Sequence, residues 1–282
     1  MKTLDPHARI SAAIRLLAFM LPFSAGLAGA AEENFIIVAS TTSTQNSGLF
    51  DYLLPEFQAA SGIDVRVVAL GTGAALAYGR RCDADVVLVH APAAEREFVA
   101  QGYGLERIAL MHNDFVIVGP ANDPVGIRGA ESASAAIARI HSHGARFVSR
   151  GDRSGTHIKE LSLWRKSDLD PSPDFGSWYL ESGAGMGQSL NMARAMEAYI
   201  LVDRGTWLSF ENQGDLELLV EGDPDLFNPY SVIAVNPGHC PDVRNQAAQQ
   251  FIDWLVSEQG QQMIGKFRLA GQPLFVPDRP HR

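Results

Sequence analysis

The 282-residue sequence has few cysteines, a deficit of positive charge and, beyond residue 30, no apolar run near the about 20 residues of a membrane span. Two cysteines are too few for a zinc ribbon or a disulfide scaffold. The 23 Lys and Arg against 32 Asp and Glu argue against nucleic acid as the main partner. Internal repeats and low-complexity linkers are also missing. The 46% hydrophobic content instead predicts a folded chain of one long domain or two lobes.

The N-terminus has the pattern of a cleaved secretory signal peptide, assigned to residues 1–31. Three cationic residues precede an apolar run over residues 16–27, and small residues follow over 28–31. The run is too short for a membrane span, although an uncleaved anchor is the alternative. No cysteine follows it, so no lipid-attachment site is predicted. We therefore expect a soluble periplasmic protein whose formal charge of −9 becomes −11 once three cationic residues and Asp5 are removed.

The two cysteines, Cys82 and Cys240, have two possible states. An oxidising compartment permits a disulfide between them, and both would fall in the same lobe. The sequence leaves the bridged and the free form open, because it does not give the distance between the two Cα atoms.

Predicted strands and helices alternate along the chain, which indicates an α/β fold. Apolar strands over residues 34–39, 65–70 and 84–90 are each followed by a segment of helical periodicity. This alternation predicts largely parallel, doubly wound sheets.

Two similar strands, each ending at a proline, predict that the chain crosses twice between two α/β lobes. One such strand covers residues 115–120 and the other residues 230–237. We accordingly predict a first lobe from residues 32–115 plus 231–282, and a second lobe from residues 116–230.

Three polar segments each follow a predicted strand and precede a predicted helix: residues 40–44, 71–73 and 149–157. Ligands of open parallel sheets bind at the carboxyl ends of the strands, where the next helix presents free backbone N–H groups. Ser and Thr hydroxyls add neutral donors, and glycine lets the backbone approach a ligand. Any one segment alone is explained by an ordinary helix cap. Together they predict a cage of donors for an oxyanion, with Arg150 as a bidentate charged contact.

The sequence supports an enzyme active site in these segments less well than it supports an oxyanion site. Asp152, Ser154 and His157 have the residue types of a hydrolase triad, but they crowd into one turn and lack the G-x-S-x-G spacing. The glycines over residues 183–187 do not have dinucleotide-loop spacing, and they are interpreted as a turn into the next helix. His90, beside a polar segment, is placed to orient a neighbour. We expect neither catalysis nor a cofactor.

The same segments resemble those of the tungstate-binding periplasmic proteins of ABC importers. Similarity lies in Ser40-Thr-Thr-Ser-Thr-Gln45, Leu70-Gly-Thr-Gly-Ala74 and Ser149-Arg-Gly-Asp-Arg-Ser-Gly-Thr-His157, and it extends over residues 33–276. The resemblance implies a type II periplasmic binding fold of two doubly wound lobes that close over tungstate or molybdate. It also implies a monomer that delivers the anion to an ABC permease and its ATPase.

Carried over to matching positions, the resemblance implies a candidate ligand set drawn from all three segments. The set comprises Thr41, Thr42, Ser43, Thr72, Gly73, Arg150, Ser154, Gly155 and Thr156. The chain departs from the family pattern at Ala74, where Gln is usual, and at Arg153, where Asp is usual. These departures leave the selectivity between tungstate and molybdate open.

Two alternative functions remain from the sequence. Phosphate or sulfate is the alternative ligand. A phosphate site would keep an acceptor for the remaining proton of the anion, and Asp152 is the candidate, unless it lies near a helix start or pairs with Arg153. A sensory role, in which the liganded protein docks on a membrane receptor, is the alternative to transport.

Overall fold

The computed structural model describes residues 34–170 and 176–278, so the predicted signal peptide lies outside the described residues. In these ranges no helix is both long enough and apolar enough to cross a membrane. The strands are β1 (Phe35–Thr41), β2 (Asp64–Leu70), β3 (Val86–Val89), β4 (Ile108–Pro120), β5 (Phe147–Ser149), β6 (Tyr179–Glu181), β7 (Tyr199–Asp203), β8 (Leu216–Val220), β9 (Phe227–Ala234), β10 (Arg268–Leu269), β11 (Gln272–Pro273) and β12 (Val276–Pro277). The helices are α1 (Thr42–Asn46), α2 (Leu49–Ser61), α3 (Thr72–Arg80), α4 (Pro92–Ala100), α5 (Ala133–Ser142), α6 (Gly155–Lys166), α7 (Met186–Met196), α8 (Arg204–Ser209), α9 (Asn245–Val256) and α10 (Glu258–Lys266).

The predicted alternation of strands and helices is confirmed over most of the chain. Helix α2 illustrates the local rules, because Leu49, Leu53 and Phe57 recur at helical spacing and are buried. The helix ends at Gly62, whose φ of 73° is the left-handed conformation that terminates many helices.

The long strand β4 connects two sheets. Its residues 108–114 pair with β9, and its residues 115–120 pair with β7 and β8. The strand order is β2-β1-β3-β9-β4-β7-β5-β6. We call β2, β1, β3, β9 and the first half of β4 the first sheet. The second sheet consists of the second half of β4 with β7, β8, β5 and β6.

The prediction of largely parallel sheets is correct for only part of each sheet. The pairs of β1 with β2 and β3, and of β5 with β6 and β7, are parallel. Strands β9 and β4 are antiparallel to their neighbours, because they carry the chain between the two sheets rather than following a helical crossover. The sheets are therefore mixed.

Both faces of each sheet are buried by helices, which explains the uninterrupted apolar strands. In β3, Val86 and Leu88 face a core built with α2, α9 and α10, whereas Val87 and Val89 face a core built with α3 and α4. The second sheet likewise separates a core around Trp164 from a core around Leu190. The chain thus has the mixed α/β architecture that the sequence predicts, while the lobe boundaries near residues 115 and 230 stay a prediction.

The two cysteines form a disulfide, which decides between the alternatives that the sequence left open. The Cα atoms of Cys82 and Cys240 are 5.3 Å apart. The bridge joins the end of α3 to the segment after β9, so both ends lie on the first sheet's side of the structure.

Candidate functional site

A cavity of about 540 Å³ lies at the carboxyl ends of the parallel strands, where the sequence predicts a ligand site. Its wall on the side of the first sheet consists of Thr41, Thr42, Ser43, Asn46, Ser47, Leu70, Gly71, Thr72 and His90. Its wall on the side of the second sheet consists of Arg150, Ser154, Gly155, Thr156, Gly185, Met186, Gly187, Gln188, Asp203, Gly205, Thr206, Ser209 and Phe210.

The structure brings together eight of the nine predicted site residues in this cavity. The exception is Gly73, which is exposed in the first turn of α3 and is not part of the lining. Its neighbour Thr72, the first residue of α3, is buried and lines the cavity. That these residues contact a ligand stays a prediction.

The hydroxyl-rich segment after β1 forms a local hydrogen-bond network. Thr41 caps α1 by accepting a bond from the Thr44 backbone N–H. Its Oγ1 lies 2.7 Å from Thr44 Oγ1 and 3.0 Å from Ser43 Oγ. One hydroxyl therefore serves as the cap, and the hydroxyl of Ser43 remains at the cavity wall.

Three helices of nine or more residues begin at the cavity, namely α3, α6 and α7. The residue before α3 is Gly71 and the residue before α7 is Gly185, and neither offers a side chain to cap the first N–H groups. At α6, Ser154 caps the N–H of His157. Uncapped N–H groups and the positive ends of the helix dipoles, which come from both walls, make the cavity favourable for an anion.

The guanidinium of Arg150 is held in place from two sides. Its Nε donates to the carbonyl of Ala184 at 2.7 Å, and its Nη2 pairs with the carboxylate of Asp152. Two of its five N–H groups are thus used, and Nη1 remains for a ligand.

Of the two structural roles expected for Asp152, a position near a helix start is observed and a pair with Arg153 is not: Asp152 accepts a bond from the Ser154 N–H before α6 and pairs with Arg150. Burial acts to raise the pKa of Asp152, but hydrogen bonds from Ser154 and the Arg150 charge outweigh it and lower the pKa. Arg153 is exposed, and its N–H donates to His157 Nδ1 at 3.0 Å, which fixes the loop.

A buried carboxyl group, Glu160, underlies the Arg150 segment. It accepts bonds from Tyr179 OH at 2.7 Å and Trp164 Nε1 at 3.1 Å, and also from Ser149 and the Arg150 backbone. Burial raises its pKa to about 7 in spite of these donors. This group supports the loop from beneath the cavity wall.

Several lining residues were not predicted as site residues. Asp203 lines the cavity and caps α8, its oxygens accepting from Thr206 N at 2.9 Å and Thr206 Oγ1 at 2.6 Å. Residues 185–188, at the start of α7, also line the cavity and overlap the glycine turn of residues 183–187. His90 lies on the opposite wall, 3.3 Å from Ser43 Oγ. Their positions depend on strand order, which has no local sequence signal.

Comparisons with known proteins agree with this architecture. Residues 27–259 match the model of the PBP superfamily domain. The chain is 48% identical over 247 residues to the tungstate-binding protein TupA of Peptoclostridium acidaminophilum, covering 86% of this chain and 85% of that one. The solved tungstate-binding protein TupA from Desulfovibrio alaskensis G20 has 47% identity and a TM-score of 0.80, covering 87% of this chain and 99% of that chain. The tungstate ABC transporter structure from Geobacter sulfurreducens has 46% identity and a TM-score of 0.76, with coverages of 83% and 99%.

Proposed function

The chain belongs to the TupA family of tungstate-binding proteins within the PBP superfamily, and on that basis we propose that it captures a tetrahedral oxyanion, most favourably tungstate. The observation that carries this proposal is the convergence of three helix N-termini, a hydroxyl cluster and the oriented Arg150 on one cavity. Molybdate, which has nearly the same size and charge, is the second ligand of the same site.

The chemistry of the cavity suits a fully deprotonated dianion. Hydrogen bonds to a charged group contribute about 1.5–3 kcal/mol each. Six or seven such bonds, from the hydroxyls, the helix N–H groups and Arg150, leave a net binding energy near −12 kcal/mol after the costs of association, which corresponds to nanomolar affinity.

The acidic net charge of the chain does not oppose this proposal. Surface charges are screened over about 8–10 Å at physiological ionic strength, whereas donors held in a cavity act directly on the ligand. The local geometry of Arg150 and the helix starts therefore dominates over the formal charge of −9.

Two carboxylates bear on the phosphate alternative: Asp203, which lines the cavity, and Asp152, which pairs with the lining residue Arg150. A phosphate site benefits from an acceptor for the remaining proton of the ligand. Asp152 is engaged by Arg150 and Ser154, and both oxygens of Asp203 are engaged by Thr206. Each of these oxygens already accepts one hydrogen bond within the protein but keeps a second lone pair, so the comparison of tungstate with phosphate rests on the titration described below.

In the transport cycle that we propose, ligand binding draws the two lobes together, and an ABC permease with its ATPase accepts the closed form. The protein would act as a periplasmic monomer, without catalysis and without a cofactor. The structural relative described as a tungstate ABC transporter supports this role.

Titration calorimetry of the purified chain with tungstate, molybdate, sulfate and phosphate tests the ligand. We expect tight one-to-one binding of tungstate and weak or absent binding of sulfate and phosphate. Tight phosphate binding without tungstate binding would contradict the proposal. Competition between tungstate and molybdate measures their ratio.

Tungsten accumulation in cells tests transport against sensing. We expect deletion of this gene to abolish uptake at low external tungstate, and the intact gene to restore it. Normal uptake in the deletion strain, with loss of a transcriptional response to tungstate, would instead identify a sensor.

A further inference from the structure

The cavity wall contains a histidine, His90, whose ring lies between Ser43, a predicted ligand residue, and Asn228 of strand β9. Its Nε2 lies 3.3 Å from Ser43 Oγ, and its Nδ1 lies 2.9 Å from Asn228 Oδ1. The ring also stacks on Tyr230, with centroids 4.6 Å apart. These three contacts fix the position of the imidazole.

The hydrogen-bond network decides which ring nitrogen carries the proton. The Nδ2 of Asn228 donates to Asn113 Oδ1 at 2.7 Å and lies 3.3 Å from the Tyr230 hydroxyl. The Oδ1 of Asn228 is therefore the acceptor that faces His90, so Nδ1 of His90 carries the hydrogen. In the neutral ring Nε2 is bare, and the Ser43 hydroxyl donates to it when the Thr41 hydroxyl, 3.0 Å away, acts as the donor to Ser43 Oγ.

A bound dianion competes for the same hydroxyl hydrogen. Ser43 has a single O–H, which can point to Nε2 of His90 or to an oxygen of the ligand, but not to both. If the ligand takes it, a bare nitrogen lone pair remains buried beside a doubly charged anion. An unsatisfied buried acceptor costs about 1–3 kcal/mol, and repulsion between lone pairs adds to that cost.

We propose that capture of the oxyanion is coupled to uptake of one proton from solvent at Nε2 of His90. The proton gives Nε2 a hydrogen to donate, so Ser43 is free to donate to the ligand, and the imidazolium adds a positive charge to the cavity wall. The inference rests on the proposed function, because it requires a dianion in this cavity.

The charged groups around His90 are consistent with a ring that is neutral before binding and charged after it. Desolvation by burial lowers its pKa, while the hydrogen bond that Nδ1 donates to Asn228 Oδ1 and the charges of Asp203 and Glu95 act to raise it. Glu95 is itself compensated, since Arg107 donates to it at 2.6 Å. Arg150, which lines the same cavity, opposes a second positive charge until the ligand arrives.

A dianion reverses this balance, because it favours the charged form of a nearby base. Between the pKa of His90 in the empty site and its higher pKa in the liganded site, the affinity should fall about tenfold for each unit of rising pH. Acidification strengthens binding over the same interval.

Titration calorimetry with tungstate, in pairs of buffers of equal pH and different ionisation enthalpy at several pH values between about 5 and 8, tests the coupling at the pH of greatest uptake. The difference in observed heat gives the number of protons taken up per anion. We expect between about 0.5 and 1 for the natural protein, since a neutral group becomes charged on binding. His90→Gln should retain binding, because the amide can donate to the ligand, but with a proton number near zero.

A matched control is His143→Gln, since His143 is exposed and does not line the cavity. This variant should keep the proton number of the natural protein. Tight tungstate binding with no proton uptake would overturn the coupling and leave the proposed function intact. The same conclusion would follow if His90→Gln took up as many protons as the natural protein. Absence of tungstate binding in both buffers would contradict the proposed function itself. The ¹⁵N shift of His90 Nε2 in the natural protein gives a measurement that does not depend on a variant.

Discussion

Replacement of Arg150 by alanine gives the sharpest prediction for the ligand site. The side chain is only 13% exposed, and its guanidinium is held by Ala184 and Asp152 so that Nη1 is left for the ligand. Loss of one charge-assisted bond of about 1.5–3 kcal/mol weakens binding roughly 10- to 150-fold. The variant also leaves the Asp152 carboxylate without its partner at the cavity, which adds repulsion. We therefore expect a loss of at least about tenfold in tungstate affinity by titration calorimetry.

Two control variants separate geometry from net charge. Arg150→Lys keeps the positive charge but loses the planar fork, so it should lie between the natural protein and Arg150→Ala. Arg153→Ala removes the same charge from an exposed position in the same loop, and should change the affinity less than about twofold. The reasoning is refuted if Arg150→Ala binds tungstate as tightly as the natural protein, or if Arg153→Ala loses as much.

Three further predictions concern the fold and the cavity. Cys82→Ser opens the bridge to Cys240 and should lower the free energy of unfolding in urea by about 2–5 kcal/mol, with unchanged tungstate affinity because neither cysteine lines the cavity. The pKa of Glu160 is raised to about 7 in the folded state, so the free energy of unfolding should fall by about 3 kcal/mol as the pH rises from about 4.5 to 7. Urea titrations of Glu160→Gln should show a smaller fall over this interval. A variant with the same pH dependence as the natural protein would contradict this prediction. Gly155→Ala places a methyl 3.3 Å from the His90 ring. It should weaken tungstate binding at least about fivefold while the melting temperature is retained. Full affinity would show that the ligand does not occupy the space beside Gly155.

The sequence predicts the parts of the site that depend on local chemistry. Hydroxyl and glycine residues at the ends of β1, β2 and β5 are visible as short polar segments between an apolar run and a helical pattern. The strand ends of a parallel sheet meet at one edge, so their convergence follows from the fold class. For this reason Thr41, Thr72 and Arg150 are found without a structure.

The parts that the sequence does not predict depend on which strands are neighbours. His90 lines the cavity because β3 lies beside β1, and Asp203 lines it because β7 lies beside β5. The antiparallel direction of β9 is likewise invisible, since an apolar strand buried on both faces looks the same in either direction. The carboxylate of Asp152 pairs with Arg150 rather than with its sequence neighbour Arg153, which is exposed and has a φ of 60°.

The place of β9 in the first sheet has a consequence for the order in which the chain acquires its structure. β9 lies between β3 and β4, although residues 90–226 separate it from β3 along the chain. Until residue 234 has been synthesised, β3 and β4 lack the strand that pairs with both of them, and the helices α9 and α10, which cover one face together with α2, come later still. The early part of the chain therefore cannot reach its final hydrogen bonding while translation continues. A polypeptide with this topology completes its first sheet late, and its disulfide can close only once Cys240 has been synthesised.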